Sequence, residues 1–225
     1  MYIPVLLFSS RQIMAAACAL SVITASSVAS ATTIDFEGWA QPNGAIAQVA
    51  NGTGGFDWLG VYASNPEIVT NKPNGQNTGL HNGVVSGDEI GFSQYGYSKI
   101  SNDIDFTLNS LYLTSAYKNN RSLSITGFND AAELFSTNVI LGIDQPTLVK
   151  LDWSGIDALV MQWAAGSTGE VVAGFPTGNQ FAFDDIVYNE PVAAVPAPGT
   201  AWLFGSALLG LIGATRRSKK SVLRQ

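Results

Sequence analysis

Polar and apolar residues alternate along most of the chain between residues 33 and 188. The stretch TIDFE (33–37) changes character at every step, as a strand with one wet face does. FDWLGVY (56–62) follows a glycine-rich GTGG, and DIDFTL (103–108) alternates cleanly. At Asn109 and Ser110 the phase shifts before Leu111 and Leu113 resume it, which predicts a bulge or kink. Further strands are predicted over 122–128, 133–141, 147–153, 158–163 and 180–188, and Trp153-Ser154-Gly155 reads as a turn. Residues 131–134 allow one helical turn at most. Spacing of about ten residues with Asn, Asp and Gly at the joints predicts an all-β fold, an antiparallel β-sandwich. Residues 64–102, with Pro66, Asn71, Pro73 and Asn74, read as long loops, where binding usually sits.

The two ends follow other rules. Residues 1–31 hold no acid, one basic residue and an apolar run over 13–25, and close on small residues at Ala29 and Ala31. That is the layout of a secretory signal peptide cut by signal peptidase before Thr32. At the other end, residues 200–215 begin with TAWLFGSALLGLIGA, fifteen residues without a charge. A helix there spans about 22 Å against a hydrocarbon core of about 30 Å, so it makes a short transmembrane helix. The basic tail 216–225, opening with Arg216 and Arg217, stays on the cytoplasmic side of the inner membrane. Pro196 and Pro198 keep the linker 191–199 extended. The chain is thus predicted to carry one exported domain, 32–190, between a leader and a membrane tail.

Charge narrows the function. All 17 acids fall within 35–190 beside only Lys72, Lys99, Lys118, Arg121 and Lys150, which leaves that domain near −12. Nucleic acid is excluded as a partner, since it needs cationic surface. The single cysteine, Cys18, lies in the leader, so the exported part has no disulfide. Catalytic signatures are missing too. There is one histidine, His81, no Gly-x-Ser-x-Gly elbow, and too few His or Cys for a zinc site. Glycoside hydrolysis needs only two carboxylates, but nothing selects a pair among Asp88, Glu89 and Glu170.

Two features remain. Asp35 and Glu37 alternate with Ile34 and Phe36 on the first predicted strand, and Asp184 and Asp185 interrupt the last. They read either as solvated strand-end acids or as oxygen ligands of one structural calcium ion, which would steady a domain without disulfides. Trp58, Tyr62, Tyr95 and Tyr97, with Trp39, lie in or beside glycine-rich stretches. Such rings either pack in a core or form an exposed platform on which sugar rings stack.

The tail resembles the PEP-CTERM sorting signal, also catalogued as an ice-binding protein C-terminal domain. The resemblance rests on Val195, Pro196, Ala197 and Pro198, the apolar stretch from Trp202, and Arg216 with Arg217; Ala197 stands where the family name has Glu. It implies processing by exosortase and delivery to the surface or extracellular matrix of a Gram-negative bacterium. The order of strand segments, from DIDFTLNSLYLTSAY to QFAFDDIVY, looks like the jelly-roll domains found ahead of such tails, which are similar to carbohydrate-binding modules. In those jelly rolls acids on the first and last strands commonly share a calcium. The function implied is non-catalytic binding or structuring of exopolysaccharide in a biofilm matrix. A glycan-active hydrolase and a purely structural, self-assembling surface protein are the alternatives.

Overall fold

The computed structural model describes residues 31–189. The leader with Ala29 and everything from residue 190 onward lie outside the described residues, including 195–198, the expected membrane helix 200–215, Arg216 and Arg217. No helix among the described residues is long and apolar enough to cross a membrane.

Twelve strands make up the domain: β1 Thr32–Ile34, β2 Ala47–Gln48, β3 Asp57–Leu59, β4 Val61–Ser64, β5 Ile90–Ser93, β6 Tyr97–Ser115, β7 Lys118–Asn119, β8 Arg121–Asn129, β9 Ala132–Leu141, β10 Thr147–Trp163, β11 Glu170–Val171 and β12 Phe181–Tyr188. Two one-turn helices, α1 Pro66–Val69 and α2 Gly79–Asn82, sit between β4 and β5. All pairings are antiparallel.

The long strands β6 and β10 serve two layers. Residues 106–115 of β6 lie between β12 and the first half of β10, in a layer continued by β5, β4 and β2. Residues 97–101 of β6 pair instead with β3 and with 158–162 of β10, whose other side carries β8 and then β9. The change of layer falls where the register between β6 and β10 slips three times, with Asp152 and Gly155 at positive φ. Bulges let one strand bend from sheet to sheet in this way. Asn109, at the phase shift, donates from Nδ2 to Asp152 Oδ1 at 3.0 Å and ties the two bends together.

Both sheets face one core. Phe181, Phe183, Leu111, Leu113 and Val61 come from the first layer, and Trp58, Ile100, Leu123, Ile125, Leu159 and Met161 from the second. Phe36, fully buried, meets Trp39, Trp58 and Phe183 edge to face at 5.1–6.0 Å. Its ring lies on the β5 backbone, where a side chain at Gly91 would come within 2.5 Å of it. The outer side of the first sheet is covered as well: Leu80 of α2 packs there with Ile90, Phe92 and Ala182, beside Tyr62 and Tyr117. Among the described residues no such apolar cluster covers the outer side of the second sheet.

Four expectations change. Residues 64–102 contain β5, both short helices and the start of β6, because α2 uses the outer face of the first sheet as its own small core. The expected helical turn at 131–134 is a hairpin turn, with Asp130 and Ala131 both at positive φ. Trp153-Ser154-Gly155 is a bulged stretch within β10 rather than a break. Trp58 is a core residue.

Candidate functional site

Alternation along the second sheet decides what its open face presents. Trp58, Ile100 and Leu159 turn inward, so their neighbours Asp57 and Leu59, Lys99 and Ser101, and Ala158 and Val160 turn outward. The register then sets Asp57 beside Ser101 and Ala158, and Leu59 beside Lys99 and Val160. Phe128 follows Ala158 across the next ladder, and Tyr97 lies two residues along from Lys99. An open cleft of about 440 Å³ runs over this surface, between the β6 stretch Asn102–Asp103 and the β8–β9 turn at Ala131.

The cleft joins an apolar strip to a polar rim. Tyr97, Val160, Ala158 and Phe128 give the strip, and Asp57, Asp103, Asp157 and Lys99 the charges. Among the described residues the only ion pair within 4 Å is Lys72–Glu67, at 2.7 Å, so the Lys99 ammonium is free to donate to a ligand or to water. The rim is braced from behind. Asn102 donates to the Gly55 carbonyl at 2.9 Å and accepts from the Ile104 N–H at 3.0 Å, and Asp157 accepts from the Asp130 N–H at 2.8 Å. Three carboxylates against one ammonium make the cleft acidic. Carboxylates accept hydrogen bonds from hydroxyls, and the ammonium donates to ring or hydroxyl oxygens. Such a surface suits an uncharged polyol and repels an anionic one.

Of the predicted aromatic platform, one ring lines this cleft. Tyr97 is 36% exposed at its edge. Trp58 is 4% exposed, with Nε1 donating to the Thr53 carbonyl at 2.8 Å, and so cannot stack on a ligand. Tyr62 packs against Phe92 on the covered face of the first sheet, and Tyr95, highly exposed at the β5–β6 turn, is outside the cleft. Lys99, Asp57 and Asp157 were missed because an isolated charged residue in a strand carries no sequence signal. The strand-to-strand register that gathers them was needed.

The four acids expected to hold calcium are engaged otherwise. Glu37 Oε1 accepts from the N–H groups of Asp88 and Glu89 at 2.8 and 2.7 Å. Glu89 Oε2 returns the contact, accepting from Trp39 and Ala40 at 3.0 and 2.9 Å. Asp184, fully buried, accepts from Val85 and Ser86 at 2.7 and 3.2 Å on Oδ2 and from Asp185 at 2.8 Å on Oδ1. Asp185 Oδ1 accepts from Ser86 Oγ at 2.6 Å, and Asp35 Oδ1 from the Glu37 N–H at 3.2 Å. Burial pushes the Asp184 carboxyl up to about 6, against the pull of its three backbone donors and with a small push from Asp185. Backbone N–H groups aimed at carboxylates form a donor set for anions, and a calcium ion needs oxygens in those places. No three His, Cys, Asp or Glu side chains among the described residues group to hold a metal. As they stand, these residues do not fit calcium.

His81 is committed through Nδ1 alone, its buried Nε2 having no hydrogen-bond partner among the described residues. Its Nδ1 lies 2.9 Å from Thr78 Oγ1 and 3.2 Å from the Thr78 N–H, capping α2, and burial lowers its pKa. It is not among the residues lining the cleft.

No family model and no curated protein match the chain. Among solved structures it is similar to a mutant of CBM29-2, a family 29 carbohydrate-binding module, with TM-score 0.37, 18% identity, and 75% of this chain and 100% of that one covered. It is also similar to TmCBM61, solved with β-1,4-galactotriose, at TM-score 0.34 and 8% identity over 69% and 94%. CBM51 from Clostridium perfringens GH95, solved with methyl-galactose, gives TM-score 0.31 and 16% identity over 70% and 99%. Likeness at this level carries no weight for function. That rests on the residues of the cleft.

Proposed function

We propose that this is an exported, non-catalytic protein whose β-domain binds neutral polysaccharide along the open face of its second sheet. The observation that carries the reading is the cleft itself: an apolar strip ending in Tyr97, beside a free Lys99 and the carboxylates Asp57, Asp103 and Asp157, on a sheet face that no element among the described residues covers. A sugar ring lies with its apolar face on the strip while its hydroxyls reach the rim. Export rests on the sequence of the leader, and surface delivery through exosortase on the 195–198 linker and the apolar, basic-ended tail. The domain then serves as a hand on the extracellular matrix, its acidic cleft selecting neutral glucans or galactans over uronic-acid polymers.

Affinity electrophoresis of the full chain, kept in mild detergent, tests this against neutral β-glucan and galactan on one side and polygalacturonate on the other. Retardation by a neutral polymer without release of sugar is expected. Tyr97→Ala should weaken it about tenfold, the effect of losing one stacking ring in the strip. Absence of retardation in every neutral gel, equal retardation by polygalacturonate, or released sugar would each defeat the reading.

A further inference from the structure

The second sheet ends in β9, and no strand among the described residues pairs with its outer side. It is ten residues long, whereas β1 and β3 have three each and β2 has two. The open side of β10 in the first layer is broken by register slips and carries the exposed Lys150, which are the usual defences of an edge. β9 lacks them. From Leu134 to Leu141 it reads LFSTNVIL, with no charge, proline or glycine, on a domain near −12. Its inner side is held in place, since Phe135 stacks on Trp153 at 5.4 Å and 13°.

From this we infer that β9 is a self-association edge, and that its occupant is β9 of a second copy, paired antiparallel about a two-fold axis at Thr137. That register matches the strand to itself. Leu134, 48% exposed, lies opposite Ile140 of the second copy, itself 68% exposed, and the contact occurs twice. On the core side Phe135 meets Val139, and on the outer side Ser136 meets Asn138. A shift of two residues either way sets Leu134 against Asn138 or Ile140 against Ser136, so the hydrophobic pattern specifies one register. Charge points to the same strand: two acidic domains repel over most of their surfaces and meet with least penalty at an uncharged segment.

The contact is small. Ten residues at about 3.4 Å make an edge of about 34 Å, which over a sheet about 10 Å thick buries roughly 300 Å² per copy. A standard stable interface buries about 800 Å² per partner. Association is therefore weak in dilute solution and strengthens where copies are crowded or salt screens their charge.

Sedimentation velocity of the full chain in detergent, over loading concentrations of about 5 to 500 µM, reads this directly. The wild type is expected to shift from monomer to dimer across that range, at lower concentration in higher salt. The exposed double variants Leu134→Lys/Ile140→Lys and Leu134→Glu/Ile140→Glu place like charges opposite each other and should each associate at least tenfold more weakly. Mixed one to one, they place Lys against Glu in both contacts and should recover dimer. A wild type that stays monomeric throughout overturns the inference. So does a double-lysine variant that dimerises like the wild type, or a mixture that stays monomeric while each variant keeps the wild-type circular dichroism.

Discussion

Asp184 offers the sharpest test of how the domain treats its acids. Its carboxyl is fully buried behind the 85–86 loop and titrates near 6, where an unfolded aspartate titrates near 3.8. Below both values the group is protonated folded or unfolded and adds no pH dependence. Between them the native state holds a proton that the unfolded state has released, so unfolding releases a proton and stability falls as pH rises. A gap of about two pKa units at 1.36 kcal/mol each makes the loss about 3 kcal/mol, complete by neutral pH. The other carboxylates titrate over the same range, so the wild type alone cannot isolate the effect. Asp184→Asn keeps the shape and removes the titration. Urea unfolding of both proteins at about pH 4 and pH 7 gives two stabilities for each, and their difference cancels the shared acids. Wild type minus variant should fall by roughly 2.4 kcal/mol from the lower pH to the higher, since part of the loss has already occurred at pH 4. A difference that is flat, or that rises with pH, would show that the three backbone donors outweigh burial and that the reasoning is wrong in sign.

Other perturbations follow from the same contacts. Glu89→Ala strands the part-buried N–H groups of Trp39 and Ala40 and should cost about 1–3 kcal/mol in urea unfolding, whereas Glu89→Gln keeps an acceptor and should cost less; equal stabilities for all three would dismiss the clasp. Gly79→Ala would put a methyl 1.8 Å from the Ser115 carbonyl oxygen, where α2 docks on β6, and should cost about 3 kcal/mol or more, read as a large drop in Tm. Because the acids at 35, 37, 184 and 185 are taken up by N–H and O–H donors, EDTA should leave the thermal midpoint where it was; a drop reversed by added calcium would show that the loops rearrange around an ion.

The fold was legible where alternation was clean. The 122–128 and 133–141 stretches became β8 and β9, and the phase slip at Asn109 marked a bulge in β6 against β12, a few residues after the strand changes layer. Legibility failed where a single strand changes partners. Asp152 and Gly155, at positive φ, look like a turn, yet β10 runs through them as two bulges, each setting one extra residue against β6. It failed again at 64–93, where pairing of β4 with β5 depends on contacts thirty residues apart that no local pattern records. For the candidate cleft, sequence grouped Tyr97 with Trp58 and could not tell the ring that lines the cleft from the ring in the core. Both sit beside glycines in strands, and only the register shows that Trp58 faces inward at Ile100 while Tyr97 faces outward.

Those acids also explain how a cysteine-free domain holds its loops. With five basic residues in 35–190 and one ion pair among the described residues, the excess carboxylates have few cations to meet. They are spent on backbone N–H groups. Glu37 and Glu89 lock segment 37–40 to segment 88–89 in both directions, and Asp184 and Asp185 fix Val85 and Ser86 from the other side. Gly87 lies at the centre, where any side chain would collide with the Glu37 carboxylate. The 85–89 segment is thereby pinned to the stretch that follows β1 and to β12, joining the two ends of the domain as a disulfide would. Each such bond is charge-assisted and worth about 1.5–3 kcal/mol, so two or three of them match the stabilisation typical of one disulfide. In this part of the molecule the acidity of the chain is the means of closing the fold.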